Sequence, residues 1–118
     1  MKKLKIFMDS SALIAGIISE TGAAHVLLQL GEGGVIDLAI NEYVITECER
    51  SLARKAPRSL PLFQLAIKKS GFQLYENPTL AEVQANLYLI SDPNDVPILL
   101  SALEAKSDFL VTHDSKHF

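Results

Sequence analysis

Four acids in this 118-residue chain, Asp9, Glu47, Asp95 and Asp114, sit beside the boundaries of apolar segments, where strands end and helices begin. Each has an ordinary use there. Asp9 and Asp95 can cap helices, Glu47 can be a solvated helix acid, and Asp114 can shape a turn. Gathered at one place, they would do something else. Carboxylates within a few ångströms of each other repel and cannot all stay ionised unaided. Such a cluster calls for divalent cations, and hard oxygen donors without a zinc-type Cys/His set select Mg²⁺ or Mn²⁺. One or two such ions clamp a phosphodiester, lower the pKa of a bound water and stabilise the leaving oxygen.

Whether the acids meet depends on the elements that carry them. Leu4–Met8 reads as a short strand ending at Asp9, followed by a small-residue turn or helix from Ser10 to Ile18. Thr21 or Gly22 opens a helix through Leu30, which Gly31, Gly33 and Gly34 end. Val35–Ile40 is a second strand. Asn41 then caps a helix with the apolar stripe Val44, Ile45, Cys48 and Leu52, and Glu47 lies on the flank of that stripe. Pro57 and Pro61 bracket a loop before a short helix, Leu62–Ser70, and a third strand, Phe72–Tyr75. Thr79 caps a helix from Leu80 to Leu89. Asn94 or Asp95 caps the next, from Val96 to Ala105, with Pro97 in its first turn. Only Ser101 and Glu104 are strongly polar in that stretch, so burial on most sides is expected. Phe109–Thr112 is the fourth strand, and Asp114 stands just past it.

Strands alternating with helices predict an α/β protein, three layers α/β/α around a four-stranded, mainly parallel sheet, in one domain over residues 1–118. Right-handed crossovers put all strand carboxyl ends on one edge. That edge receives Asp9, Asp114 and the start of the helix bearing Glu47, with Asp95 at another helix start. Asp92, three residues before Asp95, is a turn former beside Pro93 and a candidate outer ligand.

The net charge of −3 creates no global field to recruit nucleic acid, so local patches must do so. Six of the 11 basic residues lie from Arg50 to Lys69, and Arg50, Arg54, Lys55 and Arg58 fall on or just after the helix bearing Glu47. A single cysteine, Cys48, excludes an internal disulfide, reads as a small buried apolar residue and fits the reducing cytoplasm. No apolar run approaches the ~20 residues of a membrane span, and Asp9-Ser10-Ser11 breaks the stretch that could have been a signal peptide. No membrane association is expected.

Asp9-Ser-Ser-Ala-Leu13, Val44-Ile-Thr-Glu47, Asp95-Val-Pro-Ile-Leu-Leu-Ser-Ala102 and Val111-Thr-His-Asp114 resemble, in order, the four acidic motifs of PIN domains, which are metal-dependent ribonucleases. The resemblance spans the chain and is nearest to the small VapC-like toxins of prokaryotic toxin–antitoxin pairs. It implies Asp9, Glu47, Asp95 and Asp114 as the catalytic, metal-binding set for Mg²⁺ or Mn²⁺. Ser10 or Ser11 assists by hydrogen bonding, and Thr112 supports. It implies hydrolysis of single-stranded or structured RNA, with a cognate antitoxin and a homodimer as partners. His113 stands where the family often has glycine. The family also continues into a fifth strand for which no residues follow Phe118, so the fourth strand is expected to be an edge open to another chain.

Two rivals share the fold. An inactive PIN-like module would bind without cleaving. A receiver-like phosphoacceptor domain would need an acid pair after the first strand and an Asp after the third, where Tyr75-Glu76-Asn77 stands instead. His113 and His117, four apart, are a further possible metal pair.

Overall fold

Near-continuous apolar runs, without polar alternation, are the pattern of strands covered on both faces. In the computed structural model, which describes residues 2–113, they form one parallel sheet. Its strands are β1 (Lys5–Met8), β2 (Asp37–Asn41), β3 (Gln73–Tyr75) and β4 (Phe109–Val111), in the order β3-β2-β1-β4. Ile6 sits opposite Leu38 on one side, and Phe7 opposite Leu110 on the other. Phe7, Met8, Ala39 and Ile40 have no exposed surface. Burying each of the larger ones stabilises the fold by about 1.5–3 kcal/mol.

The helices among the described residues are α1 (Ser10–Ile18), α2 (Ala23–Glu32), α3 (Glu42–Lys55), α4 (Leu60–Lys69), α5 (Leu80–Ala85) and α6 (Val96–Glu104). The first two crossovers step one way along the sheet, from β1 to β2 to β3. The third returns past both to β4. Right-handed connections therefore put α1–α4 on one face and α5 and α6 on the other, the expected three layers. The reversal falls between β1 and β4, and parallel sheets carry their sites at the carboxyl ends of strands beside such a switch. Asp9 follows β1 there, and Thr112 follows β4.

Several elements differ from their expected bounds, for local reasons. The helix expected over Leu80–Leu89 keeps its Thr79–Glu82 capping box but stops at Ala85. Asn86 turns its amide back onto the Glu82 carbonyl at 2.7 Å, competing with the helix ladder, and Leu87–Leu89 continue only as a 3₁₀ turn. Pro57–Ser59 form a 3₁₀ turn rather than open loop, and α4 starts at Leu60 because Pro61 fits a first helical turn. Gly31, expected to help end α2, lies inside it. A methyl group there would sit 2.4 Å from Leu38 Cδ1, so glycine lets α2 close onto the sheet. Lys106 takes φ +54, a conformation usually left to glycine. It ends α6, with Ser107 N–H donating to Ala102 O and Lys106 N–H to Leu103 O.

Candidate active site

The carboxyl edge is organised by one side chain. Asp9 is only 4% exposed and caps α1 through Oδ1, which accepts the Ala12 N–H at 2.8 Å and the Ser11 hydroxyl at 2.8 Å. Its Oδ2 accepts the Thr112 hydroxyl. The His113 N–H donates to Ser11 Oγ at 3.0 Å. The first turn of α1 and the end of β4 are thus tied to Asp9 from both sides of the switch point. Ser10 turns the other way and donates to Glu47 Oε1 at 3.2 Å. Two adjacent serines on one helical turn therefore reach two different acids.

Glu47 is half-buried on α3. Burial raises its carboxyl above the ordinary glutamate value, and the negative charges of Asp95 and Asp9 push the same way; the Ser10 hydroxyl and Arg50 pull it down. Asp95 and Asp9 thus act on Glu47 from two other elements. Asp95 occupies the N-cap position of α6 but makes no side-chain cap. Its expected capping role passes to Asp92, which accepts the Asn94 N–H at 2.9 Å and caps a 3₁₀ turn, Pro93–Asp95.

An acid whose pKa is raised by folding binds its proton more tightly in the folded state. Below the unfolded value it is neutral in both states and costs nothing. As pH rises through the folded value it becomes a destabilising charge. Without divalent ions, Glu47→Gln is therefore expected to melt higher than the parent at neutral pH, with the gap closing as pH falls below the glutamate range. Thermal melts in EDTA at the two pH values check this, and an equal gap at both would count against it.

Tyr43 was not singled out by sequence, although it lies four residues before Glu47 and so on the same face of α3. Its phenol pKa is raised, first by burial and then by Glu47, Asp95 and Asp92, with Arg50 opposing. Asn41 does more than cap α3. Its Oδ1 accepts the Val44 N–H at 2.9 Å, while its Nδ2 donates to Ser101 Oγ at 2.8 Å and to Pro97 O at 3.2 Å, joining α3 to α6. Cys48 is fully buried as expected, and burial pushes its thiol up, so it remains a protonated core residue.

From this edge a trough of about 590 Å³ runs between α1 and α3. Ser10, Ser11, Glu47 and His113 line its head, and Arg50, Arg54 and Lys55 line one wall. Arg58, on the Pro57–Ser59 turn, is not part of the lining. Asp9, Asp92 and Asp95 are not on the trough surface either. Asp114 and His117 lie outside the described residues.

A family model for the PIN domain matches residues 5–116, nearly the whole chain. The chain belongs to the PIN domain family. No curated protein sequence gives a significant match. Among solved structures, this PIN domain resembles PAE2754 from Pyrobaculum aerophilum, with TM-score 0.69 and 22% identity over 95% of this chain and 81% of that one. It also resembles VapC20 from Mycobacterium tuberculosis, a toxin that cleaves the sarcin–ricin loop, with TM-score 0.67 and 15% identity over 94% of this chain and 91% of that one. At these identities the likeness is one of fold, and that fold is VapC-like. PIN domains are generally nucleases and typically use divalent metal ions. The receiver-like reading is set aside, since receivers order their parallel strands 2-1-3-4-5.

The donor chemistry here suits such ions: the acids offer hard oxygens, and Glu47 lies in the negative field of two other carboxylates. Among the described residues, however, no three His, Cys, Asp or Glu side chains close into a metal-holding group. No helix among them is long and apolar enough to cross a membrane.

Proposed function

We propose that this PIN domain is a metal-dependent endoribonuclease. The observation that supports the reading is that Asp9 caps α1 beside the switch point while the adjacent Ser10 hydrogen-bonds Glu47 of α3, whose carboxyl is raised by burial and by the charges of Asp95 and Asp9. Asp9, Glu47, Asp95 and Asp114 would hold Mg²⁺ or Mn²⁺. A bound ion supplies an activated water and charge neutralisation at the scissile phosphate. The protein's own groups do the positioning. Thr112 and Ser11 fix the Asp9 carboxylate, Ser10 orients Glu47, and Asp92 shapes the turn that delivers Asp95. The exposed Arg50, Arg54 and Lys55 attract phosphate toward an edge that would otherwise repel it, with Arg58 farther along the same cationic stretch.

The VapC-like fold supports a role as the toxin of a cytoplasmic toxin–antitoxin pair, with RNA as substrate and a protein antitoxin and a second copy of the chain as partners. A second reading is an RNA-binding module without cleavage, in which the exposed Arg50, Arg54 and Lys55 hold RNA beside the acids.

One assay separates the two. End-labelled single-stranded RNA is incubated with the protein and Mn²⁺ from about pH 6 to about pH 9, spanning the range where a metal-bound water titrates. Discrete products are expected, lost with EDTA and lost in Glu47→Gln. RNA that is bound yet survives throughout this range would replace the nuclease by the binding module.

A further inference from the structure

At the opposite, amino edge of the sheet lies a second depression, of about 340 Å³. Lys2, Lys3, Lys5 and Lys106 line it, with Asp37 and Ala105. Lys5 and Asp37 open β1 and β2 side by side, and Lys106 follows the last turn of α6. Four of the chain's 11 basic residues thus gather at the far end of β1 from Asp9, about 13 Å of strand away. Among the described residues, the side chains of Lys2, Lys3 and Lys106 make no hydrogen bond or ion pair. Lys5 has Asp37 as its neighbour in register, yet its ammonium donates to the Tyr75 hydroxyl at 2.9 Å, a neutral partner that leaves its charge uncancelled. Lys106 holds φ +54, so a cation stands where the backbone favours glycine. Against the four lysines stand Asp37, Asp108, whose carboxylate accepts the Lys5 N–H at 2.8 Å, and the carbonyl end of α6, equivalent to about half a negative charge. The depression stays positive in a chain whose net charge is −3.

We infer that this lysine-lined depression is a second RNA contact, a seat for backbone phosphates on the opposite edge of the sheet from the acids. Lysine ammoniums are compact point charges that hold phosphate oxygens, and phosphate contacts carry no sequence information. The lining has no aromatic or amide side chain to read a base, so the site takes backbone irrespective of sequence. An acidic protein segment would meet the same charges, but a protein interface needs apolar anchors at its centre. The one apolar residue in the lining, Ala105, is 4% exposed and has no surface to give. RNA needs no such anchor, because its affinity comes from releasing the counterions of evenly spaced phosphates. The choice of RNA as the polyanion rests on the nuclease reading; the cationic site itself does not.

The test is fluorescence anisotropy in EDTA with two probes, a labelled RNA hairpin and labelled polyglutamate. Lys3→Ala combined with Lys106→Gly should lower the slope of log K against log salt for the hairpin by about 1.5, two phosphate contacts at about 0.7–0.9 each. Glycine suits the backbone at position 106 and Lys3 is exposed, so the fold tolerates both changes, and a melting temperature no lower than the parent's confirms it. Lys68→Ala combined with Lys69→Ala removes the same two charges from the end of α4 and should leave the slope as in the parent. An unchanged slope in the first variant overturns the site. So does an equal fall in both variants, which would mean that net charge alone matters. Polyglutamate binding lost in the first variant with RNA binding intact assigns the lysines to an acidic protein and overturns the RNA contact. Because no divalent ion is present and no cleavage is read, a failed cleavage assay leaves this result intact.

Discussion

Asp9→Asn is expected to lower RNA cleavage by a hundredfold or more, on the order of 3 kcal/mol of transition-state stabilisation, while the fold survives. The two halves of that expectation come from the same side chain. As a cap, asparagine serves α1 as well as aspartate does, and its amide oxygen can still accept the Ala12 N–H. The amide nitrogen then meets Thr112, whose hydroxyl can turn to accept instead of donate. The negative charge is lost, and with it one of the proposed metal ligands. An activity-free measurement accompanies the assay. At about ten times its dissociation constant, an ion bound only by the folded state adds roughly 1.4 kcal/mol, or roughly 4–8 °C of melting temperature for a domain of this size. Mg²⁺ or Mn²⁺ should give that shift in the parent and almost none in Asp9→Asn. A shift that persists in the variant would place the ion elsewhere and remove Asp9 from the ligand set.

Asn41→Ala is expected to cost roughly 2–4 kcal/mol of stability, a large share of the ~5–15 kcal/mol that holds a domain together. Losing the cap on α3 costs about 1 kcal/mol. Stranding buried Ser101 Oγ and Pro97 O, both of which Asn41 now satisfies, costs about 1–3 kcal/mol more. A urea midpoint that falls with an unchanged m-value is the readout. Because α3 carries Glu47 and α6 follows directly on Asp95, the loosened joint should also weaken cleavage in molecules that remain folded. Asn41→Asp keeps the acceptor for Val44 N–H but cannot donate across to α6, and it adds a charge beside the acids. It should be no better than alanine. A loss under about 0.5 kcal/mol, as for an ordinary surface change, would show that the joint is not needed.

The layered fold was legible because it depends on patterns that few arrangements satisfy. Apolar runs at Ile6–Met8 and Leu38–Ile40, alternating with helical stripes such as Val44, Cys48 and Leu52, leave a parallel sheet with helices on both faces as the consistent solution. The common direction of parallel strands then brings every carboxyl end to one edge, so the neighbourhood of Asp9 and Glu47 followed from local signals. Boundaries were less legible. Asn86 and Pro61 act through single hydrogen bonds and first-turn geometry, which propensity averages away.

What only the tertiary structure decided lies in contacts between residues distant in sequence. Ser11, Asp9 and Thr112 interlock across about a hundred positions, and Asn41 finds Ser101 sixty residues on. No periodicity encodes such pairings, because each depends on how two finished elements are packed. The same holds for charge. Glu47 reads as one of many helix acids until burial removes its water and brings Asp95 and Asp9 within its field. The trough, too, is a property of two helices set side by side, each of whose facing stripes looks unremarkable alone. By itself the sequence determined which residues could come together at the edge. Packing decided their partners, because hydrogen bonding and desolvation act over a few ångströms, a range sequence spacing does not measure across elements.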